Sequence, residues 1–311
     1  MAVAPFRFGL QVLAADSRTA LVERARRAED LGFSILQTAD HLDELLPPLV
    51  TLATVAGATT TLRVGTLVLN NDLRHPVVLA REAAAVDLLS DGRLELGIGA
   101  GHSEPEYRSA GLPFDPPGVR IDRLAESLAL LDGLLAGDEV TVAGAHYTVT
   151  GARVFPRPVQ QPRPPLLVGG GGRRVLALAA RAADVVGLTG TGPTRADGRQ
   201  HVPSHWAPGA VDAQVDHVRA AAAAAGRSTP EIHALIQVVA VTDDRRSALE
   251  RIQPHVPELS LEDLEGTPYL LVGTLDAIVE QLQAARERWG ISYVTVRDEA
   301  LAPVVARLAG T

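Results

Sequence analysis

The chain has 311 residues, 46% of them hydrophobic, and a formal net charge of -8. That length suits one large α/β barrel or two average domains, and the acidic balance argues against nucleic acid as the main partner. Cysteine is absent and all 29 basic residues are arginine, which excludes a thiol nucleophile, a thiolate metal site, a Schiff-base lysine and a lysine-bearing P-loop.

Strand-like apolar runs alternate with helical patterns along the whole chain. FRFGLQV (6–12) leads into TALVERARRAEDLG, whose Leu21, Ala25, Ala28 and Leu31 share one helical face before Gly32 ends it. FSILQTAD (33–40), the helical PLVTLATVAGATT, LRVGTLVLN (62–70), a helix near 76–90 and RLELGIGAG (93–101) follow. Later strands are expected at 165–170, 184–189, 232–241 and 292–298, with RRVLALAARA, AVDAQVDHVRAAAAAAG and TLDAIVEQLQAARERWG as the helices between them. The strands are continuous apolar runs, which suit a parallel sheet buried on both faces. Eight such units predict an α/β fold of the (β/α)8 TIM-barrel class as one domain over 1–311, with a doubly wound sheet as the alternative. No run is long enough to span a membrane and no secretory signal opens the chain, so a cytoplasmic location is expected.

Two stretches interrupt the rhythm. Residues 102–164 hold a helix (RIDRLAESLALLDGLLAG), a hairpin (EVTVAGAHYTVTG) and a proline-rich return, and 190–210 are polar and rich in Gly and Pro. Both leave carboxyl ends of strands, where barrel enzymes place their sites, and 190–210 is expected to act as a lid anchored near Trp206, His201 and His205.

Several polar groups end strands: Gln11, Asp40 and His41, Asn70 and Asn71, His102, Thr189, Gln237 and Arg297. The first strand offers no HxH pair, so a metal site is not expected. Asp40-His41 reads either as a capped turn or as a site, and neighbours on a strand face opposite ways, so Asp40 is not the group that orients His41. GIGAG alone is a weak nucleotide signature. The run GGGGRR (169–174) reads either as a tight turn or as an anion cradle.

TADH (38–41), LRVGTLVLNNDLRHPVVLAREAAAVDLLSDGRLELGIGAG (62–101), RPPLLVGGGGRRVLALAARAADVVGLT (163–189) and LVGTLDAIVEQLQAARERWGISYVTV (271–296) together resemble the bacterial luciferase-like superfamily of flavin and deazaflavin oxidoreductases. The resemblance is strongest to the branch that uses the deazaflavin coenzyme F420. It implies an F420-dependent oxidoreductase acting on a small organic substrate. It further implies cofactor phosphate on the backbone of Gly170, Gly171 and Gly172 with Arg173 nearby, and a contact to the cofactor tail from Thr189. Asp40, Leu67, Val68, Asn70, Gly99 and Gly101 join the implied cofactor set, and a cis bond between Leu67 and Val68 forms a bulge under the ring. His41 is implied as the proton-transfer residue, with His102 as a second candidate near neutral pH.

Relatives that oxidise sugar phosphates have an acid where His102 stands and lysine among their phosphate ligands. Neither is present in this chain, which favours reduction of a C=C or C=N bond. An FMN-dependent monooxygenase on the same fold and a cofactor-binding protein without catalysis are the alternatives. The family further implies a homodimer through the helices near 48–60 and 76–90.

Overall fold

A computed structural model describes residues 4–42, 45–190, 192 and 202–311. Its strands are β1 (Arg7–Gln11), β2 (Ile35–Thr38), β3 (Arg63–Thr66), β4 (Leu69–Asn70), β5 (Leu94–Gly99), β6 (Val140–Ala143), β7 (Thr148–Ala152), β8 (Leu166–Gly169), β9 (Val185–Leu188), β10 (Glu231–Leu235), β11 (Val238–Val241), β12 (Leu270–Gly273) and β13 (Ile291–Val296). The helices are α1 (Arg18–Asp30), α2 (Pro48–Ala56), α3 (Pro76–Leu89), α4 (Glu104–Ser109), α5 (Pro117–Ala136), α6 (Arg173–Ala182), α7 (Pro208–Ala224), α8 (Arg245–Ile252), α9 (Leu261–Gly266), α10 (Leu275–Trp289) and α11 (Ala302–Leu308).

Strands β1, β2, β3, β5, β8, β9, β10 and β13 pair in parallel in that order, and β13 returns to β1. A strand that is apolar on both faces survives only with helices over one face and barrel interior over the other. The β3–β5 and β13–β1 pairs close the sheet, so the fold is a TIM barrel and the doubly wound alternative falls. Local signals bound its helices. Ser17 and Thr274 cap α1 and α10, and Gly137 and Gly290 stop α5 and α10 at positive φ. Among the described residues, no helix is long and apolar enough to cross a membrane.

The insertion after β5 holds α4, α5 and the antiparallel β6–β7 hairpin. Of the segment expected to form a lid, 190–210, residues 191 and 193–201, His201 among them, lie outside the described residues. Two expected strands are interrupted. The run 62–70 breaks into β3 and β4 at a cis Leu67–Val68 bond, as the family resemblance implies. The run 232–241 leaves the barrel after β10, where Gln237 N–H donates to Tyr269 O at 2.8 Å. Its second half, β11, pairs with β12 outside the barrel. β12 carries the same LLVG run as β8, so its place outside the barrel is set by its pairing with β11 and not by local sequence.

Interior positions alternate along each strand and fill the barrel in layers. At the amino ends, Arg7 donates to Glu95 (3.0 Å) and Glu231 (3.2 Å), and the Tyr293 hydroxyl donates to Glu95 at 2.7 Å. Burial raises the Glu231 carboxyl despite Arg7 beside it. Burial, with Arg7 adding repulsion, pushes His233 down to about 3, so this imidazole is neutral. Its Nε2 lies 2.9 Å from Thr295 Oγ1. Ile35, Leu67, Leu167, Val185, Leu235 and Tyr293 form an apolar layer against which Val68 packs. The lower barrel is therefore filled, which leaves the carboxyl rim as the place for a candidate site.

Candidate active site

Asp40 and His41 leave the end of β2 and go separate ways. Asp40 is buried, and both its oxygens are engaged: Arg74 Nη2 donates to Oδ1 at 3.1 Å, while Arg74 Nη1 and Asn70 N–H donate to Oδ2 at 2.5 and 3.0 Å. The carboxylate thus ties the segment after the cis bond to the end of β2. His41 turns to the insertion after β5 instead. Its Nδ1 lies 2.8 Å from Glu106 Oε1, and Leu42 N–H donates to Glu106 Oε2 at 3.1 Å. Burial pushes the Glu106 carboxyl up, but hydrogen bonds from Ser103, His41 and the Leu42 backbone outweigh it and hold the group below its usual value. The His102 ring meets His41 edge-on at 5.4 Å. Both histidines named from the sequence therefore share one wall, with the carboxylate behind His41.

The end of β5 and the bulge interlock. A Cβ at Gly99 would lie 2.9 Å from Val68 Cγ2, and one at Gly101, where φ is +73, would lie 2.1 Å from the Tyr107 hydroxyl. These glycines let Val68 and Tyr107 approach the strand end. The Tyr107 hydroxyl donates to Asn70 Oδ1 at 3.0 Å and also meets Asp72 Oδ2 at 3.0 Å, while Asp72 N–H donates to Asn70 Oδ1 at 3.1 Å. Burial, then the Asp72 charge, pushes the Tyr107 phenol up to about 12. The Asn70 amide oxygen and Gly101 thus hold the loop geometry.

The glycine turn after β8 divides its labour. Gly170 N–H donates to Gly187 O at 3.1 Å, so that donor is used within the barrel, and a Cβ there would lie 2.6 Å from Val175. Gly171 O accepts from Gln214 at 2.8 Å. Gly172 caps α6 with open space around its missing Cβ. The first N–H groups of any helix lack intrahelical acceptors, so Gly172 and Arg173 head α6 with such donors, whereas the N–H of Gly170 is taken. Arg174 instead pairs with Asp122 at 2.7 Å. Thr189 stands partly buried at the end of β9, and its carbonyl accepts from Gln237 at 3.3 Å.

Across the rim, Gln11 donates to Leu67 O at 3.2 Å and accepts from Arg297 Nε at 2.9 Å. Arg297 reaches Gln237 Oε1 at 3.4 Å, and these two line a cavity of about 240 Å³ with Ile236, Val238, Val239 and Asp298. Burial lowers the Arg297 guanidinium from its usual value. The rim therefore joins a histidine pair, a helix-end anion cradle and a polar recess.

A family model described as luciferase-like monooxygenase matches residues 1–261. The chain belongs to this family. It is 34% identical over 175 residues to an F420-dependent glucose-6-phosphate dehydrogenase of Amycolatopsis mediterranei, covering 53% of this chain and 51% of the relative. A protein of the same description from Nakamurella multipartita is 30% identical over 256 residues, 79% of this chain and 71% of that one. The match thus spans about half the length of the first relative. Among solved structures, the coenzyme F420-dependent tetrahydromethanopterin reductase of Methanopyrus kandleri superposes with a TM-score of 0.77 at 21% identity, covering 97% of both chains. At that identity the likeness concerns the fold.

Three residues of this candidate site escape a reading of the sequence. Glu106 belongs to SEPEY, where acids beside a proline signal only a helix start. Arg74 sits in the loop NDLRHP, and Tyr107 in the insertion. Each acts through tertiary contacts with residues about 30 to 65 positions away in the chain, a separation that local periodicity does not report.

Proposed function

We propose that this luciferase-like barrel is an oxidoreductase dependent on the deazaflavin coenzyme F420, working in the reducing direction on a C=C or C=N bond of a small organic substrate. The observation that carries the oxidoreductase reading is the joint placement, on one barrel rim, of the His41–His102 wall, the Leu67–Val68 bulge and the α6 anion cradle, while His102 in place of an acid and the absence of lysine favour the reducing direction. The names of the matched relatives support the choice of cofactor.

The residues present suit such a group. The backbone N–H groups of Gly171, Gly172 and Arg173 would hold its phosphate, helped by the positive end of α6. Val68, seated against Gly99 and Gly169, would support the ring beside Asn70 and Asp40. Thr189 would line the tail. When bound, the deazaflavin supplies a ring carbon that gives or takes a hydride. His41 would hold the proton that accompanies the hydride, and His102 and the Arg297 recess would orient the substrate and narrow access of water.

A second reading, oxidation of a sugar hydroxyl, is favoured by the description of the matched relatives as glucose-6-phosphate dehydrogenases. Absorbance of the cofactor separates the two. Purified protein is offered reduced F420 with conjugated enones and cyclic imines, and oxidised F420 with glucose 6-phosphate. Consumption of reduced cofactor by an acceptor supports the reducing direction, and reduction of F420 by the sugar phosphate reverses it. Turnover only with reduced FMN and oxygen would make the chain a monooxygenase, and no turnover with bound cofactor would leave it a binding protein.

The chain is further proposed to form a homodimer. Val50 on α2 and Val78, Leu88 and Leu89 on α3 are 70, 52, 45 and 65% exposed, which leaves both helices with apolar side chains in solvent.

A further inference from the structure

We infer that Glu106 is a positioning residue that holds His41 as its Nδ1–H tautomer, leaving Nε2 as the atom that exchanges the proton. The inference rests on the reading of His41 given above. Glu106 Oε1 lies 2.8 Å from His41 Nδ1 and Oε2 accepts from Leu42 N–H at 3.1 Å, so the same group grips the ring and the backbone of the next residue. That double grip fixes the ring against its own main chain.

A carboxylate only accepts hydrogen bonds, so the proton between the two groups belongs to Nδ1. The lone pair of the neutral ring then sits on Nε2, across the ring from Glu106. The side chain of Glu106 is 10% exposed and that of His41 is 32% exposed, which puts the carboxylate behind the ring and leaves part of the ring accessible. Two other ionisable residues among those described flank the pair. Asp40 is engaged by Arg74 and the Asn70 backbone, and His102 meets the His41 ring edge-on.

This also resolves the puzzle of the adjacent Asp40-His41 pair. The acid next in sequence serves the bulge, and the acid that orients the histidine comes from α4, 65 residues away. Chemically, Nδ1–H donating to a fixed carboxylate leaves Nε2 to accept a proton in one direction and return it in the other, with no ring flip between steps.

The test is NMR of the full-length protein labelled with 15N-histidine, using two-bond proton–nitrogen correlations at alkaline pH, with His41 assigned by the signal missing in His41→Gln. The wild type is expected to show Nδ1–H. Glu106→Gln retains an acceptor and is expected to keep that tautomer, whereas Glu106→Ala is expected to lose it. An Nε2–H tautomer in the wild type overturns the proposal, whatever the variants do, and so does an unchanged tautomer in a folded Glu106→Ala protein. In the F420 absorbance assay, Glu106→Ala is expected to lower turnover by about 10²-fold or more, with no further loss when added to His41→Ala. Independent, multiplicative losses overturn the proposal. Should His41→Ala leave turnover intact, the role of His41 in catalysis fails, while the tautomer result still decides the role of Glu106.

Discussion

Replacing Glu29 by glutamine should weaken the barrel by about 2 kcal/mol at neutral pH, and the deficit should disappear in acid. Glu29 lies in the last turn of α1, and its Oε1 accepts from the N–H groups of Thr60, Thr61 and Leu62 at 2.9, 2.5 and 2.8 Å, and from the Thr61 hydroxyl at 2.9 Å. Those donors belong to the turn that aims β3 and hence the cis bulge. Burial acts to raise the carboxyl, but the three backbone donors, with Thr61 foremost, lower it from 4.5 to about 2. At about 1.4 kcal/mol per pH unit that difference amounts to roughly 3 kcal/mol, and partial contact with water reduces it to about 2 kcal/mol. The sign follows from the depression: the stabilisation is fully present above the unfolded value near 4.5 and is lost as pH falls through about 2. Urea unfolding of the wild type and Glu29→Gln across that window measures it. A deficit under about 0.5 kcal/mol at neutral pH, or one that persists undiminished at the acid end, would refute the reasoning.

Two further outcomes follow from the site and the surface. His41→Ala should lower turnover by about 10²–10⁴-fold while changing cofactor affinity by about 1 kcal/mol or less, because the phosphate cradle is elsewhere. His102→Ala is the control, and a loss confined to cofactor affinity in His41→Ala would make His41 a binding residue. Light scattering at micromolar concentration should report a homodimer, with Val78→Glu and Leu89→Glu shifting it towards monomer. A monomeric wild type would remove that proposal.

Most of the barrel is legible in the sequence because a strand buried on both faces has to be a continuous apolar run, as ILQT, LELGIG and ISYVTV illustrate in part and LLVG and VVGL entirely. Helix ends follow from Ser17, Thr274, Gly137 and Gly290 for equally local reasons. Residues 236–237 are different. Nothing in IHALIQVVAV signals that Gln237 N–H leaves the barrel for Tyr269 O, since both halves of the run are apolar. Strand ends make Asp40, His41, His102 and the glycine turn candidates among several, and the family resemblance singles them out. Their partners cannot be named in this way. Arg74 on Asp40 and Glu106 on His41 are tertiary pairs, and Gly170 looks like its neighbours until the pairing of its N–H with Gly187 O is seen.

The central claim, a deazaflavin on the carboxyl rim, is tested most directly by titrating purified cofactor-free protein with F420 and, in parallel, with FMN, and following the quenching of each cofactor's fluorescence. Because a ring support and a phosphate cradle suit either cofactor, the preference rests on the F420-dependent relatives, and saturable binding of F420 at least about tenfold tighter than FMN, a difference of about 1.4 kcal/mol, is expected. Tight FMN binding with no saturable response to F420 would contradict it.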